Sequence, residues 1–194
     1  MSQFDIRFKC AFFGFLKEKI SGDKVAKVDK GKPSAAGSHP WHHLTPLVGL
    51  LAQCLKSHPG EINSLALRVL TYLVKFRLGE TERYLDEFVR RTFSILHSYS
   101  SLSSSLAQHC LKLLSTIMDD CKTFKLSETQ IKFLLTKCYT NMEEVQSRVS
   151  IFAVLKSVLA QGRNMAELMP IMKRVSELLV QSTDPSVQGL CSQV

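Results

Sequence analysis

The sequence predicts an all-α fold in which short helices pair antiparallel and stack side by side as a solenoid. Three observations predict it. Apolar residues recur at three- and four-residue spacing from residue 44 onward. No segment keeps the two-residue alternation of a half-buried strand. A related apolar pattern returns after about 40 residues. The 194 residues are 45% apolar and 22% charged. That supplies a core and excludes wholesale disorder, because disordered chains are poor in Leu, Ile, Val and Phe. The longest apolar runs, such as Ala11-Phe12-Phe13-Gly14-Phe15-Leu16, are far shorter than the ~20 residues of a spanning helix.

The elements follow in order. Phe4, Phe8, Ala11, Phe12, Phe15 and Leu16 predict an N-terminal helix over 1–20, with lysines around its apolar side. A membrane-surface helix or a mitochondrial presequence are competing readings. Asp5, Glu18 and the scarcity of Arg and Ser speak against the presequence. Residues 21–46 hold Gly22, Gly31, Pro33, Gly37, Pro40 and Pro46 among Lys24, Lys27, Lys30 and Lys32. This is a basic loop or linker, with Trp41 expected to anchor its end on the helices that follow.

Residues 47–194 read as helix after helix. Leu47, Leu50, Leu51, Cys54 and Leu55 form the first stripe, and His58-Pro59-Gly60 stops it. Ile62, Leu65, Ala66, Val69, Leu70, Leu73 and Val74 form the second. Tyr84, Leu85, Phe88, Val89, Phe93, Leu96 and Tyr99 form the third, followed by a serine-rich break over 100–105. Leu106, Cys110, Leu111, Leu113, Leu114, Ile117 and Met118 make the fourth. Ser127 with Gln130 three residues on has the spacing of a capping box, ahead of Ile131, Leu134, Leu135 and Cys138. Glu143 and Glu144 suit the positive end of a sixth helix, in which Val149, Phe152, Ala153, Leu155, Val158 and Leu159 are expected to be buried and which Gly162 ends. A helix from about Met165 to Gln181 follows. Asp184 then caps a last one, with Pro185 at its first position.

Ser64-Leu65-Ala66 with Leu70 and Leu73 matches Ser105-Leu106-Ala107 with Leu111 and Leu114 at a shift of 41. A further shift of 44 aligns Leu155 and Val158 with the same leucines. Such a period belongs to HEAT and armadillo-like arrays, in which a helix pair has two apolar faces and buries the second on its neighbour. An ordinary helical bundle with chance similarity is the competing reading. Residues 184–188 resemble the start of another repeat that stops halfway, so the last repeat is expected to be truncated and the chain to be part of a longer array.

The residues of familiar chemistry are not assembled. Gly31-Lys32-Pro33-Ser34 lacks the spacing of a phosphate loop, and neither Gly-x-Ser-x-Gly nor His-Glu-x-x-His occurs. His39, His42 and His43 have no cysteine or carboxylate at ligand spacing. His109 and Cys110 are consecutive on a helix and point apart. Asp119-Asp120 and Glu143-Glu144 are expected as solvated charge at helix ends. The six cysteines form no C-x-x-C and, with no secretory signal and no Asn-x-Ser/Thr acceptor, read as free core thiols. No enzyme, no cofactor, no metal and no small-molecule substrate are expected.

Leu47 to Phe76, reading LVGLLAQCLKSHPGEINSLALRVLTYLVKF, resembles the HEAT-like repeats of the small-subunit processome component 20 family. The likeness continues through Arg90-Arg91 and Val145-Gln146-Ser147-Arg148. The resemblance implies a non-catalytic nucleolar scaffold, hence a nuclear location. It implies a role in ribosome biogenesis, within the assembly that processes pre-18S ribosomal RNA. Its partners would be other processome proteins and pre-ribosomal or small nucleolar RNA, without a membrane.

The formal net charge of +8 fits such partners. Up to His43 there are eight basic and four acidic residues, and beyond it 17 and 13. Lys24, Lys27, Lys30 and Lys32, with Arg83, Arg90 and Arg91 on the third helix, are the candidate RNA contacts. A solvated basic surface is the competing reading for them, and a steep fall of affinity with salt would separate the two. The other functional reading is a HEAT-type protein-interaction module from a transport or trafficking pathway.

Overall fold

The computed structural model describes residues 45–56, 60–75, 79–162 and 165–194. The expectations for the N-terminal helix, for Lys24, Lys27, Lys30, Lys32 and Trp41, for the three linker histidines and for Cys10 lie outside the described residues.

Every described element is a helix, and the described residues include no strand. In chain order they are α1 (Thr45–Cys54), α2 (Gly60–Lys75), α3 (Gly79–His97), α4 (Ser105–Asp120), α5 (Glu128–Asn141), α6 (Arg148–Ala160), α7 (Leu168–Gln181) and α8 (Pro185–Cys191). The arrangement is consistent with an α-solenoid. Helix α2 packs on α4, α4 on α6 and α6 on α8, while α1 packs on α3 and α5 on α7. Sequential neighbours α1 and α2, α3 and α4, α5 and α6, and α7 and α8 close the space between these two rows.

The starts and stops follow local chemistry. Ser127 and Gln130 form the capping box: the Gln130 amide donates to Ser127 Oγ at 3.2 Å, and the Ser127 amide donates to Gln130 Oε1 at 2.8 Å. The Ala107 amide donates to Ser104 Oγ at 3.2 Å, which starts α4. Asp184 caps α8 through the Ser186 amide at 2.8 Å, with Pro185 first in the helix. Gly162 ends α6 at φ +64°, a left-handed position that favours glycine. Pro46 falls in the first turn of α1, where its missing N–H costs no helical bond, so the helix begins two residues before the expected boundary at 47.

The core lies between the rows. Leu70, Leu111 and Leu155, the positions matched by the internal repeat, are all fully buried, and so are Leu114 and Val158. Leu67 is buried with them. Thr71, Thr92, Thr116 and Ser157 are buried hydroxyls. Each donates to the carbonyl four residues back, at 2.7–2.9 Å, so none is left without a partner.

Four expectations need correction. Glu143 and Glu144 do not open a helix; residues 142–147 form turns and α6 begins at Arg148. Nor is Glu144 simply solvated. Its carboxylate accepts from Ser101 Oγ at 2.9 Å and Ser103 Oγ at 2.5 Å, while Asn141 Oδ1 accepts the Leu102 amide at 3.1 Å. The turn after α5 is thereby bound to the serine-rich turn before α4, and a carboxylate used that way cannot also cap α6. Val149 is 65% exposed and Ala153 is exposed, because α6 turns Ile151, Phe152, Val154, Leu155 and Val158 inward instead. Leu50 faces outward at 42% exposure.

Candidate functional site

Two surfaces carry most of the polar chemistry, and each belongs to one row. The first lies between α3 and α5. Phe133 of α5 meets Phe93 of α3 with ring centroids 5.9 Å apart and His97 at 4.0 Å. Lys137 Nζ lies 5.8 Å from the Phe133 ring and donates to the Tyr99 carbonyl at 2.6 Å. These rings floor an open groove of about 770 Å³ with Arg90 at its rim.

The sequence-predicted residues Arg83, Arg90 and Arg91 all lie on α3. Arg90 pairs with Glu87, Arg91 Nε reaches the same carboxylate at 3.2 Å, and Lys56 Nζ lies 3.6 Å from it. Hydrogen bonds from Arg90 and then Arg91 hold the Glu87 carboxyl down at about 2. Three cations share one carboxylate, so Arg90 and Arg91 are partly neutralised before any phosphate arrives. The same habit continues along this row. Lys132 pairs with Glu167 at 2.6 Å, and Arg174 pairs with Glu143 and, at 2.9 Å, with Glu177.

The second surface is the outward side of α2, α4 and α6. Arg68, Tyr72 and Lys75 follow at four- and three-residue spacing, so they share one side of α2. All three are exposed, Tyr72 at 60%. His109 of α4 is 2.9 Å from Ser64 Oγ, which ties the two helices one turn below Arg68. Lys112 follows on the side of His109, and Lys156 is the exposed cation of α6. Burial, then the charges of Arg68 and Lys112, hold His109 below its ordinary value, which keeps the ring neutral at pH 7. Arg68, Lys75, Lys112 and Lys156 enter no ion pair with another described residue.

These cations were not among the sequence candidates. The signal was present, because each is a charged residue inside an otherwise apolar repeat: the shift of 44 lays Lys156 on Lys112, and the shift of 41 lays His109 on Arg68. The charge run of 24–32 and the pair Arg90-Arg91 drew attention because they are adjacent in sequence. Adjacency says nothing about which carboxylates the fold brings to them.

Among the described residues, no three of His, Cys, Asp and Glu are placed to hold a metal ion. Cys54, Cys110, Cys138 and Cys191 are free and buried, and Cys121 is buried. Burial pushes the Cys110 and Cys138 thiols up to about 12, the reverse of what a nucleophile needs. No described helix is long and apolar enough to cross a membrane.

No family model matches the chain. Over 149 residues it is 22% identical to U3 small nucleolar RNA-associated protein 20 of Schizosaccharomyces pombe. The matched stretch is 77% of this chain and 6% of that protein, so the chain spans a small part of its relative's length. The likeness supports a relation to that family.

Proposed function

We propose that the chain is a non-catalytic scaffold segment of ribosome biogenesis, acting in the small-subunit processome on the way to 18S ribosomal RNA. The observation that carries this reading is the likeness, over three quarters of the chain, to a protein named for its association with U3 small nucleolar RNA. The helical rows agree with it. Stacked pairs of HEAT-like repeats present long faces to partners without enclosing a reaction chamber, and the packing of α1 on α3, α2 on α4, α4 on α6, α5 on α7 and α6 on α8 supports such stacking. On this reading the chain works in the nucleus and nucleolus. Its partners are other processome proteins together with pre-ribosomal or small nucleolar RNA, and it turns over no small molecule. The buried, weakly acidic thiols support the non-catalytic part.

The test is affinity capture of the tagged full chain from nuclear extract, with and without nuclease. Recovery of small-subunit processome proteins in both arms is the expected result. Recovery of transport or trafficking cargo alone would replace this reading with that of a protein-interaction module.

A further inference from the structure

The two rows differ in charge in a way that the internal repeat does not require. Across residues 62–75 of α2, 105–118 of α4 and 148–160 of α6 the sequence contains no Asp and no Glu; the carboxylates of these helices are confined to the ends, Glu61 at the start of α2 and Asp119 and Asp120 at the end of α4. The same stretches hold Arg68, Lys75, Lys112, Arg148 and Lys156. Helix α3 alone carries Glu80, Glu82, Asp86 and Glu87. On the α3, α5, α7 row Arg90, Arg91, Lys132 and Arg174 meet carboxylates, whereas the cations on the α2, α4, α6 row meet solvent. Arg148 is the exception. It is only half-exposed and donates to the Glu143 carbonyl at 3.2 Å, so it serves the fold.

A further feature favours nucleic acid over an acidic protein as the partner. Tyr72, 60% exposed, stands between Arg68 and Lys75 on the same side of α2. An exposed ring flanked by unpaired cations offers a stacking platform beside phosphate contacts, the combination that binds single strands. An acidic peptide would use the cations and leave the ring idle. Packed helices lie ~8–10 Å apart, so the cations of α2, α4 and α6 mark a track long enough for several nucleotides.

We propose that the outward side of α2, α4 and α6 is a binding surface for single-stranded RNA. Arg68, Lys75, Lys112 and Lys156 hold phosphates and Tyr72 stacks on a base. This rests on the scaffold reading above and assigns RNA contact to a different surface from Arg83, Arg90 and Arg91.

The experiment uses the purified full chain and a fluorescein-labelled 12-nucleotide single-stranded RNA of mixed sequence, followed by anisotropy at 50 and 200 mM NaCl. Circular dichroism verifies that each variant is folded. The combined R68E, K112E and K156E substitution should weaken binding at 50 mM NaCl by at least roughly tenfold and flatten the salt dependence. Tyr72→Ala should weaken it roughly tenfold while leaving the salt slope in place, and Tyr72→Phe should keep wild-type affinity. The combined R90E and R91E substitution should change binding little.

Undiminished binding by the triple variant overturns the proposal. So does loss of binding confined to the Arg90 and Arg91 variant, or to a variant with Lys24, Lys27, Lys30 and Lys32 neutralised. Equal competition by polyglutamate would assign the surface to an acidic protein. Failure of the scaffold reading looks different: RNA binding would be intact while no processome protein is captured. Capture of processome proteins after nuclease treatment, with no binding of the oligonucleotide, rejects the surface and leaves the reading standing.

Discussion

Helices α4 and α7 have similar lengths and opposite fates. Of the 16 residues of α4, ten are buried; of the 14 of α7, three are. Both carry apolar residues at helical spacing. The difference is in their neighbours. Helix α4 is held between α2 and α6 and backed by α3, whereas α7 meets α5 and α8. Leu113 and Leu114 are therefore fully buried, while Met169 and Val180 of α7 are 74% and 84% exposed. An apolar stripe says which side of a helix seeks cover, and only the packing decides how much of it is covered.

The sharpest way to break that comparison is to empty a position on each helix. Leu114→Ala in α4 is expected to cost about 2–5 kcal/mol, the transfer loss plus the cavity left in a site closed on all sides. Val180→Ala in α7 should shift stability by less than about 0.5 kcal/mol. Urea denaturation followed by circular dichroism measures both. Comparable losses would mean that Val180 is covered in solution.

A smaller effect belongs to the clasp between the two turns. Glu144→Ala removes the acceptor of Ser101 and Ser103 and should cost about 1–3 kcal/mol. It has a pH signature of definite sign. The Ser103 hydroxyl first, then Ser101 and Ser147, hold the Glu144 carboxyl below its ordinary value against the opposing effect of burial. The contribution is thus whole above the ordinary carboxylate range near ~4.3. It is lost as pH falls through the lower folded value. As pH falls below the ordinary carboxylate range the wild type should lose more stability than Glu144→Gln. Parallel pH curves for the two would show that the clasp adds nothing.

Smaller again is the cap of α5. Ser127→Ala breaks one bond of a reciprocal pair and should cost about 1 kcal/mol. Amide exchange should rise first at Gln130, whose N–H loses its acceptor. Ser147 offers the contrast within the same row-to-row pair, since it precedes α6 without a side-chain cap bond.

These cases also show what the sequence could and could not reveal. Capping at Ser127 and Asp184 was legible because a cap is a local bargain between residues two or three apart. The shared burial of Leu70, Leu111 and Leu155 was legible because a repeat encodes its own packing. The role of Glu144 was not, since its serine partners lie some 40 positions earlier and meet it only through the fold. Val149 and Ala153 were misassigned because α6 is apolar nearly all round, so periodicity could not choose its inward side. At the candidate site, Arg90 and Arg91 could be placed on one helix from spacing alone. Their sharing of Glu87 with Lys56, in the turn after α1, needed coordinates.

The least costly change should be on the row that looks most heavily bonded. Lys132 of α5 lies 2.6 Å from Glu167, the residue before α7, a contact that joins successive helices of the α3, α5, α7 row. Yet the Lys132 side chain is 65% exposed. Water screens the attraction there, and holding two long side chains in one geometry costs rotamer freedom that offsets what remains. Glu167→Gln should leave the urea midpoint within experimental scatter, and 0.5 M NaCl should move the wild-type midpoint no further than that of the variant. A clear drop in the midpoint, suppressed by salt, would show that ion pairs bind α5 to α7. The carboxylates of this row would then be structural ties, and its cations would be committed to the fold more firmly than their exposure suggests.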